Sequence, residues 1–287
     1  MRVLRWTIVI TLAAGVVFVA GSWIVAQRLT RARPSIIGPP PDDFPFPIES
    51  VTFSTADHQT LNGWFVPAKK NAPAIVLLHG FGGSRKQMLP RARYFREQGY
   101  SVLLYDARAC GESTGDAITF GFRERHDLIA AVSWLKEHGH DRIACLGVSQ
   151  GGATIAFAAE HLPDIRCAIC ESVYDEMVHA VDHRTRHYLC VPGAVGACLM
   201  VPFAEHRLGL NIHDVRPVDH IAMLKCPVFV ISGDCDDKTS PDDTHRLFAA
   251  AKEPKELWIV PDAKHQDLYR FPDYPEKVHS FLRRHLD

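Results

Sequence analysis

Gly147-Val148-Ser149-Gln150-Gly151 sets a serine between two glycines, where the apolar run RIACLG gives way to the small-residue run GGATIAFAAE. A serine hydroxyl is a poor nucleophile until a base takes its proton. Such a serine stands on a sharp strand-to-helix turn, and bulkier neighbours than glycine would collide where the strand meets the helix. The helix N-terminus behind it favours developing negative charge. The pattern predicts Ser149 as the nucleophile of acyl-transfer chemistry. The plain alternative, a glycine-bounded loop with a capping serine, leaves the flanking strand and helix patterns without a purpose.

For a nucleophile in this setting the acid and then the histidine follow along the chain. Among sixteen histidines, only His265 stands in a polar turn, PDAKHQD, directly after the last expected strand. His58, His126, His138, His161, His279 and His285 fall in the first hairpin or on helices. The acid should leave the preceding strand, in Gly233-Asp234-Cys235-Asp236-Asp237-Lys238. Asp236 is the expected partner, three positions past the glycine, with Asp234 and Asp237 as competitors. Its carboxylate would fix the imidazole tautomer and stabilise the cation. An oxyanion needs two backbone donors, one of them on the residue after the nucleophile, Gln150. The loop His79-Gly80-Phe81-Gly82-Gly83-Ser84 supplies the other, assigned to Phe81, with His79 bracing the loop.

Alternating strand and helix patterns must carry these residues. Glu49–Thr55 and Thr60–Val66 read as a hairpin, and Ala74–Leu78 as a strand buried on both faces. Helices are expected at Ser84–Gln98, Phe122–His138, Gly151–His161, Asp242–Ala251 and Tyr274–His285. Strands are expected at Ser101–Tyr105, Arg142–Gly147, Ile165–Cys170, Val228–Ser232 and Glu256–Val260. This alternation predicts an α/β fold with a mostly parallel, doubly wound sheet. An interruption from about Val173 to Leu224 reads as a cap insertion at the ligand-binding edge of the sheet. It contains a polar helical piece and an apolar irregular piece, Leu189–Phe203, expected either to line an acyl pocket or only to pack the cap against the core.

Trp6 to Gln27 carries no charge and is long enough to cross a bilayer as a helix. A signal peptide has a shorter apolar run of about 7–15 residues, although Ala20-Gly21-Ser22 offers a small-x-small site. The expectation is a single-pass transmembrane anchor over residues 1–33. Arg2 and Arg5 precede the span and Arg28, Arg31 and Arg33 follow it, so the positive-inside rule selects no orientation. Residues 34–48 hold six prolines and read as a semi-rigid spacer that decouples the anchor from a catalytic domain at 49–287.

Composition narrows the function. With 32 basic and 33 acidic residues, no charge field would draw in nucleic acid. Nothing resembles a Walker loop, a dinucleotide fingerprint or a zinc finger. Of eight cysteines, Cys145, Cys167, Cys170 and Cys226 fall in or beside buried strands, and only Cys190 and Cys198 look free to pair.

The ordered set HGFGGS, DARACGESTG, GVSQGG, GDCDD and KHQD resembles the α/β-hydrolase superfamily from about Glu49 onward. It is most similar to its serine aminopeptidase-like and dienelactone hydrolase-like esterases. The resemblance implies a serine hydrolase acting on esters, thioesters or amides through an acyl-enzyme, with no cofactor. A small-molecule or lipid-like ester is the expected substrate. Ala109 stands where relatives commonly have glycine. An acyltransferase would use the same residues, and a non-catalytic binding module would have to lack one of them. His179, His183 and His187, at helical spacing near Asp175 and Asp182, could hold a metal, but a solvated helix face is the simpler reading.

Overall fold

The computed structural model describes residues 2–162, 164–189 and 193–286. The chain opens with helix α1, Arg2–Thr30, followed by the short strand β1, Arg33–Pro34. The hairpin comes next, β2 (Glu49–Ser54) and β3 (Thr60–Val66). Strand β4 (Ala74–Leu78) leads through a 3-10 turn, Arg85–Met88, into α2 (Leu89–Glu97). Pro90 stands in the first turn of α2, where its missing N–H costs nothing, so the helix starts there rather than at Ser84. Then follow β5 (Ser101–Tyr105), the short β6 (Cys110–Gly111) and α3 (Arg125–Glu137). Next are β7 (Ile143–Val148), α4 (Gln150–Ala158) and β8 (Cys167–Glu171). The insertion holds α5 (Met177–Leu189), α6 (Gly193–Leu208) and the one-turn α7 (Pro217–His220). The remaining elements are β9 (Val228–Gly233), α8 (Pro241–Ala250), β10 (Lys255–Val260) and α9 (Tyr274–His285).

Eight strands form one sheet in the order β10-β9-β8-β7-β4-β5-β3-β2. Only β3 pairs antiparallel, with β2 and with β5; the other neighbours run parallel. Every residue of β4, β5, β7, β8 and β9 is buried, as their mostly apolar runs suit. Two apolar layers cover the faces, one including Leu128, Leu135, Phe157 and Leu247, the other Met88, Phe95, Phe281 and Leu282.

Three features depart from the sequence reading. From Gly193 the apolar stretch of the insertion is helical, despite Pro202 inside α6. α6 packs along α1, and tertiary contact there outweighs the lost hydrogen bond. Phe203 closes a groove of about 580 Å3 on the α1 face formed by Thr11, Leu12, Val16, Val19 and Trp23. Phe203 therefore faces α1. The linker at 34–48 is not a free spacer either, since Ile37 is buried and Phe44, Phe46 and Ile48 pack on the core. Pro34, with Arg33 just before it, joins a two-stranded parallel ribbon, Arg33 beside Cys110 and Pro34 beside Gly111. The Cys190–Cys198 pairing lies outside the described residues.

Candidate active site

The residues singled out above converge at the C-terminal edge of the sheet. β7 ends at Val148 and α4 begins at Gln150, so Ser149 alone makes the turn, with φ +54° and ψ −114°. That φ is unfavourable for a side-chain-bearing residue and marks a strained elbow. Its N–H donates to the Glu171 carbonyl at 2.7 Å, tying the turn to β8. The flanking glycines are needed for space. A Cβ on Gly151 would lie 2.6 Å from the Leu78 carbonyl oxygen, and one on Gly147 would lie 2.3 Å from the Gly151 backbone.

β9 ends at Gly233, and the capping box of Ser240 with Asp243 starts α8, which confines the acid loop to Asp234–Thr239. Within it the Asp236 carboxylate accepts from the N–H groups of Lys238 at 2.8 Å and Thr239 at 3.0 Å. Both Asp236 carboxylate oxygens lie 2.9 Å from His265 Nδ1. His265 Nε2 in turn lies 3.0 Å from Ser149 Oγ. Asp236 selects the tautomer with the proton on Nδ1, leaving Nε2 as the acceptor that faces the hydroxyl. All three side chains are buried. Asp234 serves elsewhere, accepting from the Asp262 N–H at 2.7 Å, and Asp237 lines a cleft.

The loop after β4 runs beside Ser149. A Cβ on Gly80 would come within 3.8 Å of the Ser149 Cβ. His79 braces this loop: its Nδ1 pairs with the Gly80 carbonyl at 2.7 Å and its Nε2 accepts from the Ala107 N–H at 3.0 Å. Burial pushes the His79 pKa down, in keeping with a neutral ring. Among the described residues, no acceptor takes the backbone N–H of Phe81 or of Gln150. A cleft of about 520 Å3 opens at His265 between the Gly80 loop and the turn after β10. Lys86, Asp237, Lys238, Lys264, Asp267 and Arg270 give it a polar lining.

The Ala109 departure has a backbone cost: its φ is +60°, the left-handed region where glycine is unstrained. The three histidines of α5 do not meet as a cluster. His183 and His187 stack, whereas His179 pairs with Asp175 at 3.0 Å. Asp175, Glu176 and His179 could converge on a cation, yet the Arg246 guanidinium already pairs with Asp175.

This architecture and elbow define a class, and the chain belongs to the α/β-hydrolase superfamily: residues 73–189 match the alpha/beta hydrolase fold family. The Mycobacterium tuberculosis protein Rv2307c is 30% identical, with 76% of this chain and 72% of that protein covered. The polyketide transferase grgF of a Penicillium species is 28% identical across 84% of this chain and 95% of that one. Among solved structures, the Pyrococcus furiosus esterase Pf2001 superposes with a TM-score of 0.74 at 25% identity, over 90% of this chain and 97% of that one. Fold and relatives together support hydrolase or acyltransferase activity.

Proposed function

We propose that the protein is a membrane-anchored serine hydrolase that cleaves carboxylic ester, thioester or amide bonds through an acyl-enzyme on Ser149. One observation carries the reading: His265 Nε2 stands 3.0 Å from Ser149 Oγ while Asp236 holds the opposite ring nitrogen. His265 takes the hydroxyl proton as Oγ attacks the substrate carbonyl carbon. The N–H groups of Phe81 and Gln150 receive the oxyanion, and the C–O, C–S or C–N bond breaks as His265 protonates the leaving group. Water, deprotonated by the same histidine, then releases the acid. The Pyrococcus furiosus protein, called an esterase, supports hydrolysis. The Penicillium protein, called a polyketide transferase, supports a second reading in which an alcohol or amine replaces the water. Comparing products with and without added acceptor separates the two.

The anchor rests on α1. Its stretch from Arg5 to Thr30 has a mean hydropathy of 2.4 in the most apolar window, only 6% of which is buried. Such exposure suits lipid better than a core. A small or lipid-like ester is the substrate this location favours. Ser149→Ala is expected to abolish fluorophosphonate labelling and to cut p-nitrophenyl ester turnover by at least about a thousandfold. Turnover near the wild-type rate in the folded variant would refute the reading.

A further inference from the structure

The segment between α1 and the sheet is built against the loop that the proposed mechanism uses. The Arg33 N–H donates to the Ala109 carbonyl at 2.7 Å, and the Ser35 N–H to the Gly111 carbonyl at 2.8 Å. The Ile118 N–H donates to the Thr30 carbonyl, the last residue of α1, at 2.9 Å. Further on, the N–H groups of Ile37 and Gly38 both reach Glu112 Oε1 at 3.0 Å. Residues 30–38 thus form a strap clipped to the 109–118 stretch along its whole length.

From that strap Arg33 reaches the loop after β4. Its guanidinium carbon lies 4.6 Å from the centre of the Phe81 ring, and the same ring stacks on Phe120 at 5.4 Å. The arginine stem lies so close to Gly82 that a Cβ there would fall 2.7 Å from Arg33 Cδ. At the far end of the loop, the carboxylate of Glu112 that holds the strap also pairs with Arg85. Arg85 pairs with Asp106 as well, and its N–H donates to Asp106 Oδ1 at 2.7 Å. The loop is therefore gripped at Phe81–Gly82 and again at Arg85.

Gly80, Gly82 and Gly83 give this loop little stiffness of its own. An oxyanion donor works only when held within a few tenths of an ångström of its productive place. The geometry points to Arg33 as a positioning residue for the Phe81 N–H, and to the strap behind the membrane helix as part of the active site. This rests on the reading of Ser149 and Phe81 as nucleophile and oxyanion donor. Arg33 touches no reacting atom. It acts by sandwiching and stacking on Phe81, so a cation on a flexible stem should serve in part.

The test uses the full chain in detergent, with Arg33→Ala and Arg33→Lys beside wild type. Arg33→Ala should lower kcat on the order of tenfold, less than the loss of a whole oxyanion donor, with KM changed by less than about twofold. Affinity for an alkyl boronic acid, which forms a tetrahedral adduct on the serine, should fall in parallel with kcat/KM. Arg33→Lys should recover most of both. Loss of melting temperature without a fall in kcat, or a fall that lysine does not rescue, would make Arg33 merely structural and overturn the inference. Normal fluorophosphonate labelling with an unchanged kcat in Arg33→Ala overturns it alone. A wild type that takes up no fluorophosphonate overturns it together with the serine hydrolase reading.

Discussion

At the scale of single residues, one of three neighbouring carboxylates reaches the histidine. Asp236 meets His265 Nδ1 at 2.9 Å and is itself oriented by two backbone N–H groups, while Asp237 faces the cleft. Asp236→Asn should keep the geometry but permit the wrong imidazole tautomer, cutting kcat by roughly a thousandfold or more. Asp237→Asn should change it by less than about threefold, since a group outside the proton path contributes only a weak field. A kinetic comparison of the two variants decides the assignment, and a reversed order would refute it. Gly151 is the second residue-scale case. An alanine there would meet the Leu78 carbonyl oxygen, a backbone atom that cannot swing aside. Gly151→Ala is expected to destabilise the fold by about 1–3 kcal/mol and to displace Ser149. An unchanged denaturation midpoint with normal activity would count against the tight-elbow account.

At the scale of elements, one carboxylate holds the far end of the strap at residues 30–38. Glu112 is held below the ordinary glutamate range, first by the hydrogen bond from Arg85, then by the N–H groups of Gly38 and Ile37. Burial acts the other way but is outweighed. Arg85 also faces Asp106, so the three groups form one ion-pair cluster. A depressed folded-state pKa means that the unfolded chain binds more protons between the two values. The stability from this carboxylate is present in full above the unfolded pKa, near 4.3, and is lost as pH falls through the lower folded value. Glu112→Gln should therefore melt below wild type near pH 7, with the gap closing as the buffer is taken down to about pH 3. Melting curves across that range test it, and a gap that stays constant would show that the carboxylate's charge is irrelevant.

For the whole molecule, the unusual feature is that α1 and the insertion helix α6 lie together while the strap ties α1 to the Phe81 loop. Arg207 at the end of α6 donates to Gln27 of α1 at 2.9 Å, which registers the two helices. Full-length protein is expected to fractionate with membranes and resist carbonate extraction, because about twenty apolar residues suffice to span. A soluble product beginning near Trp23 would identify the segment as a cleaved signal instead. The strap also changes what truncation should do. A chain beginning at Glu49 lacks Arg33 and the Ile37 and Gly38 contacts to Glu112, so it should be soluble yet markedly less active than the full chain.

Much of this protein was legible in one dimension. The strand-to-helix elbow and the run of buried strands are local patterns with local causes: tight turns need glycine, and strands covered on both faces need mostly apolar runs. Ser149, Asp236 and His265 could be proposed from sequence because each follows, within a few residues, a strand whose end is readable. What stayed hidden depended on contacts between distant segments. Residues 34–48 look like a spacer because proline density reports backbone stiffness, not whether a surface lies beside it. The ribbon of Arg33–Pro34 with Cys110–Gly111 is two residues long, too short for any periodicity to announce. α6 looks irregular because its glycines and Pro202 argue against a helix, and only α1 alongside supplies the packing that outweighs them. Local propensity is written in neighbouring residues, whereas the juxtaposition of the strap behind α1 with the Phe81 loop exists only once the chain has closed on itself.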